Sequence, residues 1–197
     1  MKTIFCITST NPKVFLFTML LVSLFGFTKQ SFADNHREKE AKKLLDLSGL
    51  VWLDGNRFLA VSDAKSPEED NLNRVSILTL PESLSGVGFQ SLDLLYPNGG
   101  KSNDLESAAA IPGTDYVLLC ESSHDNEGTD RIFLAKVGQV DAKIEDVTTW
   151  ETFTKSYNIE SSAISGSDND YLFFWAERAQ DKTSTEIQWA KLKLKPF

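Results

Sequence analysis

Short apolar stretches alternate with polar turns from about residue 45 to the end of the chain. Many of these stretches are rich in β-branched and aromatic residues, and the turns contain Gly, Asn and Asp, which is typical of strands. The stretch from Tyr171 to Ala176 is apolar at nearly every position, as expected of a strand buried on both faces. Only residues 35–47 have a helix-forming composition, and they fit a charged leader equally well. The pattern therefore predicts an all-β fold.

Three segments of the chain repeat the same order of features, beginning near Leu45, Asn103 and Tyr157. Each has a short apolar stretch, a turn, a second apolar stretch and an acidic residue. The residues at equivalent places near the start of each copy are Ser48, Glu106 and Glu160. The acidic residues that end the second stretches are Asp63, Glu121 and Glu177. Self-similarity of this kind is typical of repeat folds.

Further strands follow within each copy. The predicted third strands are Val75–Leu80, Ile132–Val137 and Ile187–Leu192. The predicted fourth strands of the first two copies are Phe89–Tyr96 and Ile144–Phe153. Four short antiparallel strands recurring at intervals of ~50 residues are typical of β-propeller blades. Residues 44–197 are therefore predicted to form about three blades, a partial or half propeller.

Three blades do not close a ring, since propellers have about four to eight. The third copy stops after its third strand, and residues 40–47 occupy the slot of its fourth strand, in the same or another chain. Two alternatives stay open: a homodimer that completes a six-bladed ring, or a truncated gene product. In an open stack we expect some apolar side chains of the two end faces to meet water. The residues expected around those faces are Leu50, Trp52, Phe173 and Trp175.

The N-terminal residues have the pattern of a secretory signal peptide. Lys2 and Lys13 precede the apolar run Val14–Phe27, and Ser31-Phe32-Ala33 follows with small residues at the cleavage positions. The run is shorter than the ~20 apolar residues that span a bilayer. We therefore predict a signal peptide over residues 1–33, a charged leader over 34–43, and export to the periplasm or outside the cell. No membrane attachment is expected after cleavage.

The chain is acidic, with 28 Asp and Glu against 20 Lys and Arg and a formal net charge of −8. An acidic surface repels nucleic acid and anionic membranes, so neither is expected as a partner. Hydrophobic residues make up 41% of the chain, enough for a packed core and against disorder.

The acidic residues of the copies should gather at one rim. Adjacent strands run antiparallel, so the start of one inner strand and the end of its neighbour lie at the same end of the sheet. The carboxylates expected there are Asp63, Glu106, Glu121, Glu160 and Glu177. Because like charges repel unless neutralised, and Ca²⁺ takes about six to eight oxygen ligands, the rim predicts a Ca²⁺ site. The alternative is strand-end acids that are solvated or ion-paired.

Three motifs carry a family resemblance: SGLVW…LAVSD, DLESAAAIPG…LLCES and NIESSAIS…FFWAER. They resemble the phytase-like, or esterase-like, β-propeller family over most of residues 44–197, which is about half of that family's usual blades. Ser107 and Ser161 stand where the family has Gly. The resemblance implies a six-bladed fold and often a bound calcium ion.

Two functional classes remain open. In the first, the protein is a non-catalytic exported propeller that binds a small-molecule or protein ligand at the acidic rim. In the second, it is a calcium-dependent hydrolase of phosphate or carboxylate esters, with metal-bound water as nucleophile and a rim carboxylate as base. The sequence has no Gly-x-Ser-x-Gly nucleophile elbow. It favours the first class slightly and identifies neither ligand nor substrate.

Overall fold

The computed structural model describes residues 46–63, 74–81, 87–97, 102, 104–122, 131–149, 159–178 and 185–194, and the backbone of 5–9. Every regular element in these ranges is a strand, which confirms the predicted all-β class. The described ranges contain no helix long and apolar enough to cross a membrane. The strands are β1 Phe5–Ser9, β2 Leu47–Asp54, β3 Arg57–Ser62, β4 Val75–Thr79, β5 Gly88–Leu95, β6 Leu105–Ala110, β7 Tyr116–Glu121, β8 Arg131–Val137, β9 Asp141–Thr149, β10 Ile159–Ser167, β11 Asp170–Arg178 and β12 Thr185–Leu194.

The strands form two sheets. The larger has eight strands in the order β2-β3-β4-β5-β9-β8-β7-β6, and the smaller has four in the order β1-β12-β11-β10. The larger sheet consists of a first meander, β2 to β5, and a second meander, β6 to β9. Within each meander the strands are antiparallel, and a short parallel pairing of β5 with β9 joins the two. The four-stranded sheet is the third meander.

The fourth strand of the third meander comes from the N-terminus of the chain. β1 pairs antiparallel with β12, with Phe5 opposite Leu194 and Ser9 opposite Ala190. This slot was expected for residues 40–47, of which 40–45 lie outside the described residues. The sequence of β1, FCITS, contains Phe, Ile and Thr, which suit a strand. β1 lies within the predicted signal peptide, whose cleavage stays a prediction.

The hairpin between β10 and β11 is closed by a two-residue turn. Asp168 and Asn169 both have positive φ, 51° and 64°, as a type I′ turn requires. The Asn169 Nδ2 donates to the Leu194 carbonyl at 2.8 Å, and its Oδ1 accepts from the Leu194 amide at 2.6 Å. The turn therefore also fixes the end of β12.

The first strand of each meander, β2, β6 or β10, carries a β-bulge near its start. The ladder is interrupted between Leu47 and Gly49, between Leu105 and Ser107, and between Ile159 and Ser161. The bulged residues are the three that the sequence aligned: Ser48, Glu106 and Glu160. A bulge bends the strand and re-aims its side chain, so the same local distortion occurs at the start of all three strands.

These three strands lie side by side, with β6 in the middle. A Cβ at Gly49 would lie 2.7 Å from Val61 Cγ2 and 3.1 Å from the Ser107 Cα, so only glycine permits this approach of β2 to β6. Ser48 Oγ donates to the Leu105 carbonyl across the same contact. On the other side of β6, the hydroxyls of Ser107 and Ser162 are 2.9 Å apart.

Two apolar cores lie on the two faces of the second meander. Alternate residues of β7 point to opposite faces, so Leu119 packs with the first meander and Leu118 with the third. The core towards the third meander includes Phe173 and Trp175. Cys120 is fully buried in the same core, and burial raises the pKa of its thiol to about 12, so it is not a thiolate nucleophile at neutral pH.

Candidate cation site

Three carboxylates meet where the first meander contacts the second. Asp63 directly follows β3, Asp104 directly precedes β6, and Glu106 is the bulged residue of β6. A ligand oxygen from each lies within 4.8 Å of those from the other two. We refer to Asp63, Asp104 and Glu106 as the acidic cluster. The β6 bulge matters here because it sets the direction of the Glu106 side chain beside Asp104.

The carboxyl groups of the acidic cluster are close together and at least partly buried. Asp63 is 4% exposed, while Asp104 and Glu106 are partly buried. Burial, followed by hydrogen bonding to Asp63 and the charges of Asp63 and Glu106, raises the pKa of Asp104 to about 8. The Asp104 Oδ1 is buried and has no hydrogen-bond partner among the described residues. The raised pKa means that the negative charge of Asp104 is disfavoured here, and a bound cation would favour it.

Two of the five predicted rim residues, Asp63 and Glu106, are in the acidic cluster, and Glu121 is not. Glu121 is fully buried and accepts two hydrogen bonds from Arg131, from Nε at 2.7 Å and from NH2 at 2.9 Å. The Arg131 guanidinium also lies 5.0 Å from the centre of the Phe133 ring. Glu121 is thus neutralised by a cation of its own chain.

The other two predicted rim residues belong to the third meander. Glu177 is buried and accepts hydrogen bonds from Trp175 Nε1 at 3.3 Å and Gln188 Nε2 at 2.9 Å. Glu160 is partly buried at the β10 bulge and is not a member of the acidic cluster. The five predicted acids therefore do not form one site: Asp63 and Glu106 share the acidic cluster, and the other three lie elsewhere.

Strand register explains why Asp63 and Glu121 differ. The residues just before the three bulges, Leu47, Leu105 and Ile159, pair with Ser62, Glu121 and Glu177. Asp63 is therefore one position beyond the ladder position of Glu121 and Glu177, not equivalent to them as the sequence alignment proposed. A shift of one residue reverses the face on which a side chain lies. Its true counterpart in the second meander is Ser122: the Asp63 and Ser122 amides donate to the carbonyls of Asp46 and Asp104, both at 3.1 Å.

Asp104 is the site residue that the sequence prediction missed. It lies two positions before Glu106, and residues two apart share a face in a regular strand. The two-residue spacing from Glu106 could therefore have identified Asp104 as a candidate site residue. The corresponding residues of the other copies are Asp46, which is exposed, and Asn158, which lies outside the described residues.

The donor set suits a hard cation. All three side chains offer carboxylate oxygens, which Ca²⁺ prefers, and Ca²⁺ tolerates irregular geometry with about six to eight ligands. The buried Asp104 Oδ1 is the atom that lacks a hydrogen-bond donor among the described residues. Asp63, Asp104 and Glu106 therefore offer the kind of oxygen atoms that Ca²⁺ takes as ligands.

A separate cavity of about 740 Å³ lies along the later parts of the same three strands. It is lined by residues of β2, β6 and β10 and by the turn between β6 and β7. Apolar side chains such as Leu50, Trp52 and Ile164 contribute much of the lining, and Tyr116 lies at its edge. The acidic cluster is at the starts of the strands, so the cavity and the cluster are distinct features.

No family model matches the chain, and no curated protein matches it. Among solved structures, that of a β-xylosidase is similar to this chain with a TM-score of 0.48 and 13% sequence identity. The similarity covers 75% of this chain and 54% of the β-xylosidase chain, so this chain spans about half the length of the structure it matches. The family resemblance of the sequence motifs stays a prediction.

Proposed function

We propose that this protein is an exported calcium-binding module built from β-propeller blades, which binds a small-molecule or protein ligand at its acidic end. One observation carries the calcium assignment: three carboxylate ligand atoms within 4.8 Å, with a buried Asp104 oxygen that lacks a hydrogen-bond partner among the described residues. Export rests on the N-terminal sequence pattern.

The blade assignment is supported by the arrangement of the meanders. Each has four antiparallel strands in sequential order, with the exception that β1 completes the third. The strands that begin the three meanders lie side by side, as innermost strands do around a propeller axis. The parallel β5–β9 pairing is a departure from separate blades, because it joins the outer strands of the first two.

Calcium is favoured over a proton as the neutralising group outside the cytoplasm. Protonating Asp104 removes one charge but leaves Asp63 and Glu106 beside each other, whereas a divalent cation offsets most of the charge of all three. Mg²⁺ requires near-ideal octahedral geometry and keeps several waters, so a cluster of partly buried carboxylates favours Ca²⁺.

Calorimetric titration with CaCl₂ and, separately, MgCl₂ tests the proposal. Glu106→Gln removes a charged ligand while keeping its shape, and we expect at least a tenfold loss of Ca²⁺ affinity, which equals about 1.4 kcal/mol. Glu186→Gln is the matched control because Glu186 is exposed on β12. The absence of Ca²⁺ binding in the parent chain, or equal affinity in the parent and Glu106→Gln, would contradict the proposal.

A turnover assay distinguishes a binding module from the alternative, a calcium-dependent hydrolase of phosphate or carboxylate esters. Phosphomonoester and carboxylate ester substrates are incubated with the chain in Ca²⁺ and in chelator. For a binding module we expect no turnover in either. Calcium-dependent turnover that disappears in Asp104→Asn and persists in Glu186→Gln would assign the hydrolase instead.

A further inference from the structure

The third strand of the third meander is covered less completely than its counterparts. In the first meander β5 pairs with all of β4, and in the second β9 pairs with all of β8. In the third, β1 pairs only with Ala190–Leu194, the last five of the ten residues of β12. Within the described ranges, no strand pairs with the same edge of β12 over residues 185–189. β1 is therefore a short cover on a longer strand edge.

The cover is also one that export is predicted to remove. β1 lies within residues 1–33, the predicted signal peptide, so cleavage would leave β12 at the edge of its sheet. An edge strand presents backbone N–H and C=O groups that can pair with another chain. The outer strands of the first two meanders, β5 and β9, pair with each other instead. The edge of β12 is thus the place where the exported protein can accept a strand.

The inner side of the third meander is a buried apolar core. Phe173 and Trp175, expected at an exposed end face, are in fact buried, because they lie on the inner side of β11 and pack against the second meander. Leu50 and Trp52, expected at the other end face, are 57% and 58% exposed. An additional strand beside β12 would extend the core that contains Phe173 and Trp175.

Apolar and basic residues alternate along the part of β12 that β1 covers. Ala190 and Leu192 are fully buried and belong to the core of the third meander. Lys191 and Lys193 are exposed on the opposite side of the strand. On β11, the residue opposite Lys191 is Leu172, which supplies no carboxylate. A strand paired with this edge therefore meets an apolar side and a basic side.

We propose that the edge of β12 is the docking site for an extended strand of a partner protein, in which apolar residues alternate with acidic ones. The partner strand runs antiparallel to β12, as β1 does. Its apolar residues extend the core, and its acidic residues lie opposite Lys191 and Lys193, where opposite charges stabilise a cross-strand pair. The proposal goes beyond calcium binding and rests only on the export part of the proposed function.

Two other occupants fit the charge of this edge less well. β1 itself places Cys6 and Thr8 opposite the two lysines, and neither offers a carboxylate. A second copy could pair its own β12 edge antiparallel to this one. Centred on Leu192, that pairing would place Lys191 opposite Lys193, and like charges in direct cross-strand pairs are destabilising.

Labelled peptides test the proposal. The protein is the exported chain as the producing cell leaves it, with its N-terminus read by mass spectrometry. The three probes have the sequence of residues 3–11, with Cys6→Glu and Thr8→Glu, with Cys6→Thr alone, or with Cys6→Lys and Thr8→Lys. Fluorescence anisotropy measures their affinities. We expect the acidic peptide to bind at least tenfold more tightly than the basic one, with the neutral peptide between them, because two attractive cross-strand pairs replace two repulsive ones.

Charge reversal in the protein identifies the lysines. Lys191→Glu with Lys193→Glu should reverse the order of the three peptides. Lys136→Glu with Lys143→Glu is the matched control, because these lysines are exposed cross-strand neighbours in the second meander, and it should keep the order of the parent. Circular dichroism checks folding. If the reversed variant does not fold, Lys191→Gln with Lys193→Gln replaces it and should abolish the difference between the acidic and basic peptides.

A backbone control separates strand pairing from charge attraction alone. Adjacent amides point to opposite edges of a strand, so methylating the amide nitrogens of peptide residues 7 and 8 blocks one that faces β12. The methylated acidic peptide should lose its binding. Binding as tight as that of the unmethylated peptide would overturn the proposal.

The remaining outcomes are equally decisive. A cleaved chain that binds none of the peptides, or that binds the acidic and basic peptides equally, overturns the proposal. If that chain is also a dimer by light scattering, the edge is assigned to a second copy instead. An exported chain that retains Met1 overturns both the cleavage and this proposal, since β1 then keeps its place. The calcium titration is read separately: peptide binding without Ca²⁺ binding contradicts only the calcium assignment.

Discussion

The contact between the first and second meanders and the contact between the second and third have the same backbone arrangement but differ in charge. At the first contact, Asp63 lies beside the residues that start β6, and the acidic cluster results. At the second contact, Ser122 occupies the corresponding place, and its hydroxyl accepts a hydrogen bond of 2.8 Å from the Ile159 amide at the start of β10. The second contact is thus satisfied by neutral groups of the chain, whereas the first brings three carboxyl groups together.

The acids nearest the second contact are also balanced within the chain. Glu121 has Arg131 as its counterion, and Glu177 has two neutral donors. The comparison shows that a repeated backbone position does not carry a repeated function. Equivalent backbone positions at this end of the sheet have an acidic residue, Asp63, at one contact and a neutral hydroxyl, Ser122, at the other.

The largest effect is expected from removing the counterion near the second contact. Arg131→Met removes the counterion of the fully buried Glu121, which should lower the free energy of unfolding by about 3–5 kcal/mol. Urea denaturation measures it. The double variant Glu121→Gln with Arg131→Met should recover most of the loss, and a double variant as unstable as the single one would contradict the assigned cause.

A smaller loss is expected from Ser122→Ala. The change removes the acceptor of the buried Ile159 amide, and an unsatisfied buried donor costs about 1–3 kcal/mol. Urea denaturation again gives the value, with Ser122→Thr, which keeps a hydroxyl, as the conservative comparison. If Ser122→Ala and the parent unfold at the same urea concentration, the second contact does not depend on this bond.

Asp104 should make the stability of the calcium-free protein depend on pH. Its pKa in the folded chain, about 8, lies above the usual value of 3.8, so the folded state holds more protons between these values. Stability is then greatest at the acid end of this range and falls as the pH rises towards 8. Because Asp104 is partly exposed, solvent screening reduces the effect to ~1 kcal/mol, or about 2–4 °C in melting temperature.

Thermal melting in chelator at pH 5.5 and 8.5 checks this dependence. The Asp104→Asn variant should lose less stability between the two values than the parent, and saturating Ca²⁺ should reduce the parent's loss. A parent that gains more stability than Asp104→Asn on going from pH 5.5 to 8.5 would have the opposite sign and exclude the assigned titration.

A loss of about the same size is expected at Glu177. Glu177→Gln keeps a carbonyl oxygen that can accept from Trp175 or Gln188, so about 0.5–1.5 kcal/mol should be lost. Calcium affinity should not change, because Glu177 is outside the acidic cluster. A loss of Ca²⁺ binding in this variant would place the site elsewhere on the rim.

The strands could be predicted from the sequence because burial on one or both faces leaves a visible apolar pattern. The bulge positions also coincide with the aligned residues Ser48, Glu106 and Glu160. The register of Asp63 could not be predicted in this way. A second irregularity in β2, between Trp52 and Asp54, changes the count along the first hairpin, and residue identity does not reveal it.

The ion pair between Glu121 and Arg131 could have been predicted from the sequence. Glu121 ends β7 and Arg131 begins β8, and antiparallel strands joined by one loop bring such residues together. The pairing of β1 with β12 could not be predicted, since β1 lies within the predicted signal peptide and β12 is distant from it in the chain.

The short parallel pairing of β5 with β9 has a consequence for the order of folding. Within each of the first two meanders, every strand pairs with its sequence neighbour, so these contacts are local and expected to form quickly. The β5–β9 ladder, from Asp93 opposite Asp141 to Leu95 opposite Lys143, instead closes a long loop that contains β6, β7 and β8. Closing that loop costs entropy that the β5–β9 contacts offset only when both strands are formed, so we expect the first two meanders to dock after they have formed separately.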